Sequence, residues 1–271
     1  MTDICISCDR GGTFSDLCAE YTTTAEPRQR KRIIMKLLSV NPQHYPDAAV
    51  EGIRRLLEQI TGKSFPKGQP IPNDAPLTTV RLGTTVATNA LLERAGNDVI
   101  FITTQGLEDV IEIGTQARPN IFALDVKKPL KLYTKLISAP ERVLVVPNAD
   151  TYVTLNDITS TFPRAQVTTG VNGEKVVVLQ PLDLAAVKKQ LRDAYIPEKK
   201  SSIAIALAHS YAFPDHEVQI AQIAKEIGYK HISISSQLTS SVKLLSRAHT
   251  ACADAYLTPI LRDYVSNFLL G

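Results

Sequence analysis

The feature that narrows the fold most is a glycine pair near the amino end. Residues Ile4–Asp9 and Phe14–Tyr21 are rich in β-branched and aromatic side chains, and Arg10-Gly11-Gly12-Thr13 lies between them. A Gly-Gly pair between two such runs specifies a tight hairpin. Arg32–Leu38 reads as a third strand that completes a meander. Asp47–Thr61 then switches to helical spacing, with Val50, Ile53, Leu56, Leu57 and Ile60 on one side, Asp47 placed to cap the first turn and Gly62 to stop the last. The proline-rich stretch Lys63–Pro76 is a surface connection. Beyond it, Thr79–Gly83 reads as a strand, Thr85–Ala95 as a helix that stops at Gly96, and Asp98–Thr103 as a strand.

The resulting order, βββαβαβ, opens with a hairpin and continues through crossovers that are right-handed where chirality applies. It fits an α/β fold of the ribonuclease-H-like kind, the half-domain of actin, sugar-kinase and Hsp70 ATPases, better than a Rossmann sheet. Leu107–Ile113 reads as a short helix and Gly114–Leu136 as irregular. Past residue 140 a second α/β rhythm appears: strands Val143–Val146 and Lys175–Leu179, helix Asp183–Ala194, strand Ile203–Leu207, helix Asp215–Ile227 and strand His231–Ser235. With 271 residues the chain has room for one large or two modest domains. The expected division is a ribonuclease-H-like, phosphate-binding half over 1–140, a second α/β unit over 141–235, and the truncated beginning of a further domain over 236–271. That last part carries a long helix, Ala248–Leu269, whose Leu257, Ile260, Leu261, Tyr264, Val265 and Phe268 form an apolar stripe. The stripe is expected to wait for following sequence and to make the chain self-associate on its own.

Thirty Lys and Arg against 27 Asp and Glu leave a net charge of only +3. The cations are scattered except at Arg28–Arg32, which reads as a solvated strand edge or turn, so nothing calls for nucleic acid. Hydrophobic residues at 44% and charged residues at 21% exclude wholesale disorder. The longest aliphatic run, Ile203–Ala208, is far shorter than the ~20 residues that cross a bilayer. The opening MTDICISCDR has neither an apolar core nor a small-residue cleavage site, which makes the cytosol the expected compartment and a membrane partner unexpected. Four cysteines are too few for a disulfide scaffold. Cys5 and Cys8 stand three apart on a strand and so face opposite sides, a poor start for a metal site.

Three short motifs fail on context. Gly62-Lys63-Ser64 ends like a phosphate-binding loop, but the first glycine would fall at Leu57 inside a helix. His216-Glu217 opens like a zinc-protease motif, yet Ile220 stands where the second histidine belongs. Neither GxSxG nor GxGxxG occurs. Asp9-Arg10-Gly11-Gly12-Thr13-Phe14-Ser15-Asp16 is stronger. Two glycines let backbone N–H groups approach an anion without Cβ interference, Thr13 adds a hydroxyl donor, and Asp9 at the strand end can hold a hydrated Mg²⁺. In Arg81–Glu93, Gly-Thr-Thr lies between strand and helix, so Thr84 and Thr85 can cap the helix or present N–H groups to a second anionic group. Thr88 and Asn89 follow one turn on, where core packing alone would favour apolar residues.

On these residues the chain resembles the hydantoinase/5-oxoprolinase family, and within it the eukaryotic-type ATP-hydrolysing 5-oxoprolinases. The matching segments are DRGGTFSD, KLLS, EGIRRLLEQ, RLGTTVATNALLER, IGTQARPNIF, HSYAFPDHE and HTACADAYLTP, spread over the chain in the family's order and spacing. Two positions depart from the family pattern: Ser15, where Thr is usual, and Ser241, near which Pro is typical. Full family members are much longer, so the resemblance implies an N-terminal portion that ends in the first helix of the hydantoinase-A domain.

The resemblance implies an ATP- and Mg-dependent hydrolase that opens the cyclic amide of 5-oxo-L-proline to L-glutamate with release of ADP and phosphate, in γ-glutamyl metabolism. It further implies a homodimer for the full-length protein, and Asp9 and Thr13 as the catalytic pair. Gly11, Gly12, Thr13, Thr84, Thr85 and Asn89 would then contact nucleotide, and Arg118 would face either the substrate carboxylate or its own loop. For His209 a hydrogen-bonded core histidine is expected; for Asp254, helix–loop bonding or a nucleotide-side role. The other readings are a truncated, inactive paralogue that binds nucleotide or a partner, and a relative such as an N-methylhydantoinase or an acetone carboxylase subunit. The chain alone is expected to hydrolyse no ATP in response to 5-oxoproline.

Overall fold

The computed structural model describes residues 3–270 apart from 24–25, 116, 118–119, 121, 127 and 147–153. It is a mixed α/β protein that divides into two compact units: 1–96 with 260–271, and 97–259.

The first unit is built on the hairpin the glycine pair specifies. Strand β1 (Ile4–Arg10) pairs antiparallel with β2 (Phe14–Thr22), and β2 pairs antiparallel with β3 (Arg30–Leu38). Helix α1 (Ala48–Thr61) returns the chain so that β4 (Leu77–Thr84) lies parallel to β1, giving the sheet order β3-β2-β1-β4. The helix starts where the Asp47 carboxylate accepts from the amides of Ala49 and Val50, and it ends at Gly62, whose left-handed φ of 70° only glycine takes cheaply. Alternation along β1 and β2 puts Ile4, Ile6, Cys8, Leu17 and Ala19 on one face, where they pack against Ile53, Leu56 and Leu57 of α1. The contact is close. A Cβ on Gly52 would lie 2.4 Å and 2.7 Å from the δ-carbons of Leu17. Gly→Ala inside a helix normally stabilises; here overpacking reverses the sign, and Gly52→Ala is expected to cost about 1–3 kcal/mol, read as a lowered melting temperature. The short helix α2 (Val86–Leu92) follows β4.

The second unit holds a parallel sheet ordered β11-β10-β5-β6, from β5 (Val99–Thr104), β6 (Lys135–Ala139), β10 (Ser202–Ala206) and β11 (Ile232–Ile234). All of β5 and β10 is buried, as expected of a parallel sheet covered on both faces. Ile100, Ile102, Ile203 and Ile205 pack with α5 (Leu184–Ala194) and α6 (Asp215–Ile227). Val99, Phe101, Ala204 and Ala206 pack with the first turns of α8 (Leu244–Leu270), through Ala248, Ala251, Cys252 and Ala255. The small helices α3 (Val110–Ile113), α4 (Leu155–Thr161) and α7 (Ser235–Leu238) and an antiparallel sheet ordered β7-β9-β8 complete the unit; its strands are β7 (Arg142–Val146), β8 (Gln166–Thr169) and β9 (Lys175–Gln180).

Three expectations are corrected. The compact units part at residue 96, not near 140, because the strand after α2 pairs with β10 and β6 and not with β4. Strand β6 begins at Lys135, inside the segment Gly114–Leu136 that was expected to be irregular. The stripe of α8, expected to wait for following sequence, is partly packed within the chain, with Leu257 against the core of the second unit and Phe268 against the α1 side of the first sheet. Val265 and Leu269 remain exposed. Pro259 lies inside α8, where it removes one helical N–H, and the unit boundary falls directly after it.

Candidate functional site

The carboxyl end of β1 gathers most of the residues singled out from the sequence. Asp9 is exposed on the sheet face opposite α1, directly across from Asp16 on β2 and beside Gly83 on β4. A Cβ on Gly83 would sit 3.6 Å from Asp9 Oδ1, so glycine keeps that side of the carboxylate open. An open cleft of about 590 Å³ lies on this face, lined by Ser7, Asp9, Asp16, Arg32, Arg81 and Gly83 among others.

The turn itself is held by buried hydroxyls. Gly11 N–H donates to Phe14 O at 3.0 Å and closes the turn. Ser39 Oγ donates to Gly11 O at 2.7 Å, and Ser15 Oγ lies 2.9 Å from Ser39 Oγ. Both serines are buried, so the network is shielded from competing water. It also shows what a hydroxyl at position 15 is for, whether on Ser or Thr. Since the Gly11 amide is spent on the turn, the amides of Gly12 and Thr13 are those left to face an anion. Neither glycine of the pair takes a positive φ; the described glycines that do are elsewhere. Their role is room. A Cβ on Gly11 would meet Phe14 O at 3.0 Å, and one on Gly12 would meet Asn89 Nδ2 at 3.0 Å.

That second contact brings α2 to the turn. Thr85 N–H donates to Arg10 O at 3.1 Å, Asn89 Nδ2 donates to Thr85 Oγ1 at 3.4 Å, and Thr84 Oγ1 accepts from Val86 N at 3.2 Å. Thr84, and not Thr85, therefore satisfies an amide at the helix start, while the Thr85 side chain makes no cap bond. Gly12, Thr13, Thr85 and Asn89 thus stand together around the end of β1, with Asp9 at the edge. Arg118 lies outside the described residues.

Sequence reasoning missed Arg10 and its neighbours. Its guanidinium lies over the Tyr264 ring, 4.8 Å from the centroid, and its Nε is 3.7 Å from Asp47 Oδ2. Burial pushes the Tyr264 phenol up to about 12 and, with help from Asp47 and Asp9, the Cys8 thiol up to about 11. Both groups under the site are therefore neutral at physiological pH. Cys5 is exposed and Cys8 buried, on opposite faces as the strand period requires. Asp254 has a structural role in bonding, accepting from Ser233 Oγ at 2.7 Å and Thr258 Oγ1 at 2.9 Å. His209 departs from expectation: its Nδ1 is buried with no hydrogen-bond partner.

Comparison with known proteins bears on what such a turn serves. The family described as Hydantoinase/oxoprolinase N-terminal region matches residues 5–228. The chain is 43% identical over 263 residues to a 5-oxoprolinase of Dictyostelium discoideum, covering 97% of this chain and 20% of that protein. It is 42% identical over 272 residues to a 5-oxoprolinase of Saccharomyces cerevisiae, covering 99% and 20%. The chain thus spans about a fifth of the length of the curated relatives it matches, and corresponds to their N-terminal part. Among solved structures it resembles a nucleotide-free acetone carboxylase, with TM-score 0.65, 18% identity and 99% of this chain covered against 34% of the other. An ATP-dependent caprolactamase from Pseudomonas jessenii gives TM-score 0.62 at 19% identity, with 97% and 33% covered.

Proposed function

The chain belongs to the hydantoinase/oxoprolinase family through its N-terminal region, and on that premise we propose that it is the nucleotide-handling N-terminal portion of an ATP- and Mg-dependent 5-oxoprolinase that opens 5-oxo-L-proline to L-glutamate. The observation that carries the reading is the cradle at the end of β1, where a Cβ on Gly12 would strike Asn89 and Asp9 stays open beside Gly83. Space only a glycine leaves, edged by one carboxylate and by amide donors, suits phosphate oxygens with a hydrated cation. The same proposal includes a ribonuclease-H-like fold for the first unit, supported by the order β3-β2-β1-β4 with only β4 parallel to β1. It also includes a homodimer and a cytosolic location for the full-length protein; no described helix is long and apolar enough to cross a membrane.

When bound, ATP would supply the phosphoryl group that activates the lactam carbonyl carbon toward water, so that cleavage of the ring C–N bond is coupled to release of ADP and phosphate. Asp9 would hold the hydrated Mg²⁺ that balances the phosphate charge. The Gly12 and Thr13 amides and the Thr13 hydroxyl orient phosphate oxygens, and the fixed turn leaves them little reorganisation to undergo. Gly11 serves by closing that turn. Thr84, Thr85 and Asn89 form the second wall, and the same reading gives Arg118 the role of pairing with the substrate carboxylate. The test is stoichiometry in the full-length protein: glutamate and phosphate are expected to form in equal amounts and only when both ATP and 5-oxo-L-proline are present. ATP hydrolysis indifferent to 5-oxo-L-proline would overturn the reading.

A further inference from the structure

The second unit carries a polar cluster that this function leaves unused. In its parallel sheet β6 lies outside β5 and β11 outside β10, so the chain leaves the adjacent strands β5 and β10 in opposite directions. Such a reversal opens a crevice at the carboxyl ends of the two strands, the place where open α/β sheets hold ligands.

The segment that follows β10 at that crevice is pinned from several sides. Ala208 N–H donates to Thr104 Oγ1 at 2.9 Å, and Thr104 Oγ1 in turn bonds the buried carboxylate of Glu141, which also bonds His216 Nδ1 at 3.0 Å. Glu217 accepts from Leu207 N and Ser210 Oγ, both at 2.8 Å, and Arg247 donates to Leu207 O at 2.9 Å. Between these anchors His209 is held at φ 57°, a left-handed backbone uncommon outside glycine. Its carbonyl accepts from the amides of Ala212 and Phe213. A backbone outlier held this firmly is a reason to ask what its side chain does.

The His209 ring is partly buried, and its Nδ1 is sealed without a partner. A sealed N–H with no acceptor costs more than a sealed lone pair, which assigns the proton to Nε2. Burial lowers the imidazole pKa, the Glu141 carboxylate opposes that and Arg247 adds to it; the net shift is below the ordinary value, so the ring is neutral near pH 7. His209 then presents a neutral N–H donor. Two more donor groups of the cluster, Arg247 Nε and Ser236 Oγ, are likewise buried without partners. The Arg247 charge is matched by Glu217 at 3.7 Å, so the crevice has no surplus positive charge for a phosphate. A neutral imidazole N–H with no surplus positive charge beside it suits a carbonyl oxygen.

We propose that the crevice beyond β5 and β10 is a binding site for the carbonyl of a small cyclic amide, with the His209 imidazole donating to that oxygen. The choice of a cyclic amide rests on the 5-oxoprolinase reading above. The experiment is calorimetric titration of the full-length protein, without nucleotide, using 5-oxo-L-proline and 2-pyrrolidinone as probes, with Mg·ATP titrated separately. His209→Gly removes the ring yet accepts the left-handed backbone, so the backbone of the segment is kept. It is expected to weaken 5-oxo-L-proline binding at least about tenfold and to leave Mg·ATP binding unchanged. His209→Asn keeps a donor and tolerates positive φ, and should stay within about threefold of the parent. Equal binding by His209→Gly, or no lactam binding to the parent while Mg·ATP binds, would overturn this inference alone. Lactam binding lost in His209→Gly in a protein that does not bind Mg·ATP would support it and overturn the nucleotide reading.

Discussion

Asp9→Asn in the full-length enzyme is expected to lower turnover with 5-oxo-L-proline by about 10²–10³, with a much smaller change in substrate KM. The substitution keeps the size of the side chain and removes its charge at a position open to solvent on the sheet face, so folding is little affected. What is lost, on the proposed reading, is the carboxylate that would hold a hydrated cation against phosphate oxygens, and preorganised electrostatics of this kind dominates phosphoryl transfer. Asp16, directly opposite on β2, does not replace it, because it is engaged by Lys36 at 3.1 Å. Steady-state kinetics on folded Asp9→Asn protein decides the matter: near-normal turnover would remove Asp9 from the mechanism.

Arg247→Met is expected to have the largest effect on stability. Arg247 is fully buried and reaches three groups: Ser210 Oγ at 2.5 Å, Ser235 Oγ at 2.6 Å and Leu207 O at 2.9 Å. Glu217, equally buried, accepts from Leu207 N, Ser210 Oγ, Ser235 Oγ and Ser236 N. Burial lowers the Arg247 pKa while Glu217 opposes that shift, the pattern of a charge kept in the interior by its partner. Removing one member of a buried pair leaves the other uncompensated and costs about 3–5 kcal/mol. For a domain of this size that is a fall of roughly 10 °C or more in melting temperature. The double variant Arg247→Met/Glu217→Gln should recover part of the loss, since it leaves no lone charge. Calorimetry that found the double variant destabilised by the full sum of the two single losses would contradict the pairing.

Local chemistry made much of the first unit legible. The glycine pair, the Asp47 cap and the apolar period of α1 each act within a few residues, so the hairpin, the helix and its ends follow from sequence spacing. Asp9, the turn and the Thr85–Asn89 segment could be named for the same reason, because strand ends and helix starts announce themselves locally. The role of the glycines could not be read in this way. Their pairing suggested backbone freedom, whereas neither has a positive φ, and it is Asn89, far along the chain, that excludes a side chain at Gly12.

Sequence by itself determined the strands and helices of the first unit, the hairpin at Gly11-Gly12 and the family to which the chain belongs, because these depend on short-range periodicity and on the order of motifs. Only the tertiary structure decided where the units divide, since an apolar strand such as Val99–Thr104 carries no mark of which sheet it will join; hydrogen bonds to β10 and β6 settle that. It also decided the fate of α8, whose stripe is shared between two cores. The pairing of Arg247 with Glu217 and the unpartnered nitrogen of His209 belong to the same class. They arise from contacts between residues distant in sequence, and burial, which makes them matter energetically, is a property of the packed chain.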